Sequence, residues 1–363
     1  MLKSLHVQNF TVFADADFQF SEGLNIIVGT NGTGKSHVLK LAYAVELAYA
    51  AAPRSGKEST MDKTEAGVAI GFGISSRLDE VFLPHGLNNL VRRSSETKLV
   101  FPSVSTVKAA FGNDDAGSLE FSINAGSPAN RLSLLQNPRV TIQVDKPVFI
   151  PPKEMLSLMP DIIGLSDKYS DLLDLTYTGL ARLLVVPLLK QTPDYAKPVM
   201  TSLSRLLGGK IQTENGRFYL VPKQGERTEI GLVAEGYRKI GTLAYLLTNG
   251  SLSKGNTLYW DEPEANLNPA LLRELAKLLM LLASQGFQII LATHSLFLLK
   301  EFHILAHEQH TTVRYFGLSA QPGEATQVSM HDNLELLPDI VALDAELDQS
   351  DRFQAVLDQE DAQ

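Results

Sequence analysis

Residues 23–36 read GLNIIVGTNGTGKS, and the fold follows from them. The apolar run over 23–28 has the pattern of a central strand buried on both faces. Gly29, Thr30, Asn31, Gly32, Thr33, Gly34, Lys35 and Ser36 then satisfy G-x-x-x-x-G-K-[ST] at every position. That composition answers to a phosphate. Three glycines let backbone amides turn inward around an anion where a Cβ would collide. A helix from Ser36 to about Ala51, rich in Ala and Leu, aims its positive N-terminal end at the same point. Lys35 supplies a mobile charge for the outer phosphates and Ser36 a hydroxyl ligand for Mg²⁺, and His37 is a further nucleotide-binding position.

A second element lies far along the chain. Residues 257–260 form a short apolar strand ending in Asp261 and Glu262, then Pro263, which has no amide to pair, and Glu264. Two acids after a strand usually belong to a loop. Downstream of a phosphate loop they read as a site, with Asp261 holding Mg²⁺ through its water shell and Glu262 polarising the attacking water. Glu264 reads as a surface side chain. His294 follows the next buried strand, 287–292, after a helix over 269–284 capped by Asn268 and stopped by Gly286. A parallel sheet would set His294 beside the acidic pair, within reach of a γ-phosphate. Residues 233–239, VAEGYRK, are a small-residue turn entering a helix and can present amides to another anion. The polar loop 265–269, ANLNP, opens the next helix.

The remaining segments frame these elements. Residues 2–10 and 14–20 alternate as strands, and 53–66 are polar and breaker-rich, a surface loop. Residues 67–150 lean towards β structure, with strands expected at 118–123 and 140–150, and 153–207 read as helical. Asn215-Gly216 marks a type I′ turn between strands at 210–213 and 217–221. A β pair is expected at 312–317 and 326–330. The fold class is therefore α/β with a mixed central sheet, a β-rich N-terminal lobe and a helical lobe. One domain over 1–363 is expected, made of an N-terminal lobe (1–152), the helical lobe (153–207), the second half of the core (208–335) and an acidic helix or tail (336–363). From Asp344 that tail carries seven acids and one base.

Composition narrows the function. The chain has 363 residues, 44% hydrophobic and 20% charged, as in an ordinary globular protein. It has no cysteine, which excludes thiolate zinc sites and cysteine nucleophiles and fits a reducing, cytoplasmic setting. No apolar stretch reaches membrane-spanning length, and the N-terminus has no secretory pattern, so no membrane partner is expected. A net charge of −9 argues against a generally basic, nucleic-acid-coating surface, while leaving room for a local groove. His303, His307 and His310 read as solvated helix residues.

In this order, the elements resemble the ABC-type AAA-family ATPases that include structural-maintenance-of-chromosomes proteins, RecF and the overcoming-lysogenization-defect group. The closest likeness is to the stand-alone bacterial form often associated with phage-defence or toxin systems. The matching segments are residues 5–40, 148–156 (VFIPPKEML), 231–247, 257–269 (TLYWDEPEANLNP) and 289–299 (IILATHSLFLL). The resemblance implies a P-loop fold and a head-to-head homodimer that traps two ATP molecules. Lys35, Ser36, Asp261, Glu262 and His294 would act on one nucleotide. Gly236 would come from the opposite subunit, with Asn266 and Asn268 in the loop that crosses the interface. Ala234 and Glu235 depart from the usual serine and glycine of that signature, which implies a less tightly closed site and slow turnover. The Mg²⁺-sensing glutamine has no clear counterpart; Lys153-Glu154 or Gln143 occupies the place.

The 69 residues after His294 are fewer than the hundred or so that a fused nuclease domain needs, so none is expected. Pro102, Pro128, Pro138 and Pro151-Pro152 interrupt the span between Lys35 and Asp261, so no long coiled coil is expected there either. Two functions remain: an ATPase whose dimerisation regulates a separate effector, a toxin or nuclease, and a RecF-like clamp on duplex DNA.

Overall fold

A computed structural model of the chain describes residues 1–52, 63–93, 104–112, 117–126, 132–136, 138–159, 161–169, 172–337 and 341–361. In chain order its elements begin with β1 (Leu2–Phe10), β2 (Phe13–Gln19), β3 (Leu24–Gly29), α1 (Lys35–Ala51) and α2 (Lys63–Phe82). Five short strands follow: β4 (Val104–Phe111), β5 (Gly117–Asn124), β6 (Leu132–Leu134), β7 (Arg139–Val140) and β8 (Val148–Ile150). The helical lobe contains α3 (Asp161–Lys168), α4 (Leu175–Leu184) and α5 (Lys197–Leu207). Next come β9 (Gly209–Glu214), β10 (Arg217–Pro222), β11 (Thr228–Glu229) and α6 (Glu235–Thr248). The chain finishes with β12 (Thr257–Asp261), α7 (Pro269–Ser284), β13 (Gln288–Thr293), α8 (Leu296–Gln309), β14 (Val313–Ser319), β15 (Gln327–His331) and α9 (Val341–Asp361).

The central sheet has the order β15-β14-β3-β13-β12-β8. Its strands are parallel except β15, which closes one edge antiparallel to β14. Every residue of β3, β12 and β13 is buried, which is why their middles are apolar runs rather than alternating, with polar residues such as Asn25, Gln288 and Thr293 near the ends. Successive side chains of β12 enter opposite layers. Trp260 packs under α6, α7 and α8, and Tyr259 packs towards α1 and the N-terminal sheet. Each such side chain taken fully out of water contributes roughly 1.5–3 kcal/mol. The antiparallel sheet β2-β1-β4-β5-β6 covers the second layer, and β11-β10-β9 forms a small ribbon. At its hairpin, Asn215 and Gly216 both have positive φ, 50° and 76°, as a type I′ turn demands.

One buried carboxylate ties the first half of the chain to the second. Glu46 of α1 accepts hydrogen bonds from Thr257 Oγ1 at 2.8 Å and Tyr259 Oη at 2.7 Å, both on β12. Full burial pushes its carboxyl above the usual range.

Two expectations need correction. Lys63–Phe82 is a helix, so the loop expected over 53–66 ends by residue 62, and the segment after it begins helical rather than β-leaning. The rest of that loop, like Pro102 and Pro128, lies outside the described residues. Gly67, Gly71 and Gly73 weaken the helical signal in sequence, yet packing demands none of them: a Cβ at Gly71 would meet Leu134 at an ordinary 3.6 Å and one at Gly73 nothing within 4 Å. The strand expected over 140–150 is broken in two, with Val140 ending β7 and Val148–Ile150 forming β8, because 141–147 run irregularly up to Pro147. Among the described residues no helix is long and apolar enough to cross a membrane.

Candidate functional site

The parallel register brings three loops to one sheet edge. Asp261 lies opposite Ala292 of β13, and Thr293 lies opposite Val28 of β3, so the loops after β3, β12 and β13 emerge together. This is the end of a parallel sheet where α/β proteins place ligands.

The loop after β3 is folded as a cradle. Gly34 has φ 92°, and a Cβ there would come within 2.5 Å of Val12. Gly32 has φ 86° and meets nothing within 4 Å, so the space above it is open. The Lys35 ammonium donates to the carbonyls of Gly29 at 2.8 Å and Thr30 at 3.0 Å, and Thr33 Oγ1 donates to Thr30 O at 2.8 Å. Burial lowers the Lys35 pKa, and the carboxylates of Glu262, Asp261 and Glu264 pull against that shift. Asn31 is exposed at the loop tip. The ring of His37 lies against Phe82 of α2 and is half-buried.

Asp261 ends β12 and is 4% exposed, with Oδ1 buried and unpartnered. Burial pushes its pKa up to about 6, against a hydrogen bond from Ser36 that lowers it. A buried carboxylate oxygen without a partner, bonded on its other side to a serine hydroxyl, is a donor set suited to a small hard cation. The residues present thus fit Mg²⁺, with Ser36 and Asp261 as the groups that would hold it.

Beyond Asp261 the backbone turns sharply. Glu262 has φ 47° and Asn266 φ 63°, while the Glu262 amide still donates to Ala292 O at 3.0 Å. The Glu262 side chain is partly exposed, and its Oε1 lies 3.8 Å from His294 Nδ1. His294 therefore stands beside the acidic pair. Glu264 is not a surface side chain as expected. It is 9% exposed, and its Oε1 accepts from Thr293 Oγ1 at 2.7 Å and from the His294 amide at 2.9 Å. His294 Nδ1 lies 3.3 Å from the same oxygen. A glutamate following a proline gives no hint of this; only the β12–β13 register brings it under Thr293.

The turn at 233–239 packs against the same loop from the side. Gly236 is buried, and a Cβ there would meet Leu267 at 2.8 Å and Asn266 O at 3.2 Å. Glu235 accepts from Asn266 Nδ2 at 2.8 Å. Lys239, which nothing in the sequence singles out, is 1% exposed and donates to Glu262 O at 3.1 Å. Burial lowers its pKa to about 8 despite Glu264, Glu235, Glu262 and Asp261 nearby. Asn268 caps α7 by accepting from the Leu271 amide at 2.9 Å. Of the candidates for a sensing glutamine, Glu154 is buried, accepts from Ser157 and lies 3.4 Å from Arg238, while Lys153 and Gln143 are exposed.

Most of the chain matches a known family. The model of the family described as "AAA domain, putative AbiEii toxin, Type IV TA system" matches residues 24–300. The chain belongs to this AAA-domain family. Its fold is that of the head domains of structural-maintenance-of-chromosomes (SMC) proteins. The crystal structure of an SMC head bound to the C-winged helix domain of ScpA superposes with a TM-score of 0.55 at 16% identity, covering 92% of this chain and 98% of that one. The SMC head from Thermotoga maritima gives 0.53 at 14% identity, covering 90% and 98%. A 57-residue stretch is 39% identical to the DNA replication and repair protein RecF of Streptococcus gordonii, but takes in only 16% of either chain. Membership of the AAA-domain family makes this a nucleotide-binding protein of P-loop fold.

Proposed function

We propose that the chain is a Mg²⁺-dependent ATPase that dimerises around two ATP molecules and so regulates a separate effector, a toxin or nuclease. The observation that carries this reading is the meeting at one sheet edge of the cradle holding Lys35 with the carboxylates of Asp261 and Glu262. In this reading residues 29–37 bind the phosphates, with Lys35 neutralising the outer ones. Magnesium, held by Ser36 and Asp261, would supply charge neutralisation. Glu262 polarises the attacking water, and His294 donates a hydrogen bond towards the γ-phosphate. Gly236 and Asn266 serve the nucleotide of the opposite subunit. Residues 1–363 then act as one ATPase domain with the four lobes outlined from sequence, in a cytoplasmic protein.

Glu235 supports slow turnover, because it brings a carboxylate to a turn that would face a phosphate. The test is sedimentation with and without Mg·ATP for the wild type and for Glu262→Gln. ATP-dependent dimers that persist in Glu262→Gln support the reading, and monomers throughout remove it. A pull-down from the native host then identifies the effector, and recovery of this chain alone would count against one.

The RecF stretch favours a second reading, a clamp on duplex DNA. It requires ATP-dependent DNA affinity that falls steeply with salt. No retention on DNA at low salt with ATP would eliminate it.

A further inference from the structure

The first turn of α6 is joined to the catalytic loop of its own chain by three separate contacts. Glu235 accepts from Asn266 at 2.8 Å, Gly236 is pressed against Leu267 and Asn266 O, and Lys239 donates to Glu262 O at 3.1 Å. A fourth contact leaves the turn elsewhere, where Arg238 Nε lies 3.4 Å from the buried Glu154 just after β8. Lys239 differs from its neighbours in burial. A lysine ammonium at 1% exposure is costly, and it is kept here by a backbone carbonyl and surrounding carboxylates rather than by one ion pair.

The carbonyl it holds belongs to Glu262, whose backbone is in the left-handed region at φ 47°. That conformation costs a non-glycine residue of order 1 kcal/mol or more and persists only when its surroundings fix it. The carbonyl also accepts the Ala265 amide at 3.1 Å, which closes the turn. Glu262 is thus held from outside its loop at both ends, its amide by Ala292 O of β13 at 3.0 Å and its carbonyl by Lys239, the one of the two that comes from α6.

We propose that Lys239 is a positioning residue that couples the signature turn to Glu262, so that nucleotide held against α6 sets hydrolysis at the site built by the same chain. The inference rests on the two-nucleotide dimer proposed above. In that dimer, α6 receives one ATP from the partner while Glu262 works on the other. Displacement of α6 by the first ATP moves the Lys239 ammonium, and with it the Glu262 peptide. Each site then reports its occupancy to the other through a single chain.

The experiment is steady-state ATP hydrolysis by the full chain, read as kcat, KM and Hill coefficient, with dimerisation and ATP affinity measured separately. The variants are Lys239→Met, which keeps the length and apolar stem, and Lys239→Arg, which keeps charge and donor. We expect Lys239→Met to bind ATP and dimerise like the wild type while kcat falls about tenfold or more. We also expect its Hill coefficient to fall from about 2 to about 1, with partial recovery in Lys239→Arg. If Lys239→Met does not fold, Lys239→Gln, which retains a neutral donor, decides by the same readings. A wild-type dimer whose folded Lys239 variant keeps both kcat and Hill coefficient overturns the coupling alone. Equal loss of ATP affinity and turnover overturns it too, because that marks a merely structural role. A wild type that hydrolyses ATP as a monomer removes the two-site reading, and the coupling with it.

Discussion

Glu264 holds His294 by its backbone: one carboxylate oxygen takes the His294 amide at 2.9 Å and the preceding Thr293 hydroxyl at 2.7 Å. The loop after β13 is therefore set from β12, the strand that carries Asp261 and Glu262. We expect Glu264→Ala to lower kcat by about 10- to 100-fold, since a small misplacement of a catalytic group is costly. ATP affinity should change little. Thr293→Val, which removes one of the two bonds, should cost less. Both are checked by single-turnover hydrolysis beside equilibrium nucleotide binding, and unaltered turnover in Glu264→Ala would contradict the arrangement.

Trp260 is the sole tryptophan, is fully buried and adjoins Asp261 in the chain. Its emission should shift on addition of Mg·ATP, and the shift should vanish in Lys35→Ala. Titrating both proteins while following fluorescence is sufficient. A wild type without any response would count against nucleotide binding beside Asp261.

The charge on Asp261 opposes folding in the free protein. Its folded pKa of about 6 exceeds the ordinary 3.8 because burial penalises the anion. Between those values the native state holds a proton that the unfolded chain releases. This group's contribution is thus greatest below pH 4 and is lost as pH rises through 6. Nucleotide-free Asp261→Asn should be more stable than wild type at pH 7.5 by roughly 1–3 kcal/mol, with the gap closing towards pH 4. Urea unfolding at the two pH values measures it. An equal gap at both would show that the carboxylate is not desolvated.

Glu46 contributes to stability through its two hydrogen bonds to β12. Glu46→Ala should destabilise the protein by about 2–4 kcal/mol, since it leaves Thr257 and Tyr259 hydroxyls buried beside a cavity. Glu46→Gln should cost less, because it fills the space and keeps an acceptor. Denaturant midpoints of the three proteins give the ranking.

The strands that carry the site were readable because each is short, continuously apolar and ends in residues with one strong chemical use. Lys35, Asp261 and His294 stand at such ends. What sequence left hidden depends on register or on small residues. Glu264 reads as solvent-facing until β12 is laid beside β13, and Lys239 looks like any lysine after an arginine until α6 is set over Glu262. The helix Lys63–Phe82 is hard to read because Gly67, Gly71 and Gly73 imitate a loop when taken alone, although the space around each would accept a Cβ.

β13 lies between β3 and β12, so the loop with Lys35 and the pair Asp261–Glu262 are mounted two strand spacings apart, roughly 10 Å. Main-chain hydrogen bonds of the intervening strand fix that gap, so it does not depend on the side chains at the strand's middle. Ile290→Val should therefore cost about 0.5–1.5 kcal/mol of stability and leave the spacing of the two loops, and with it turnover, unchanged.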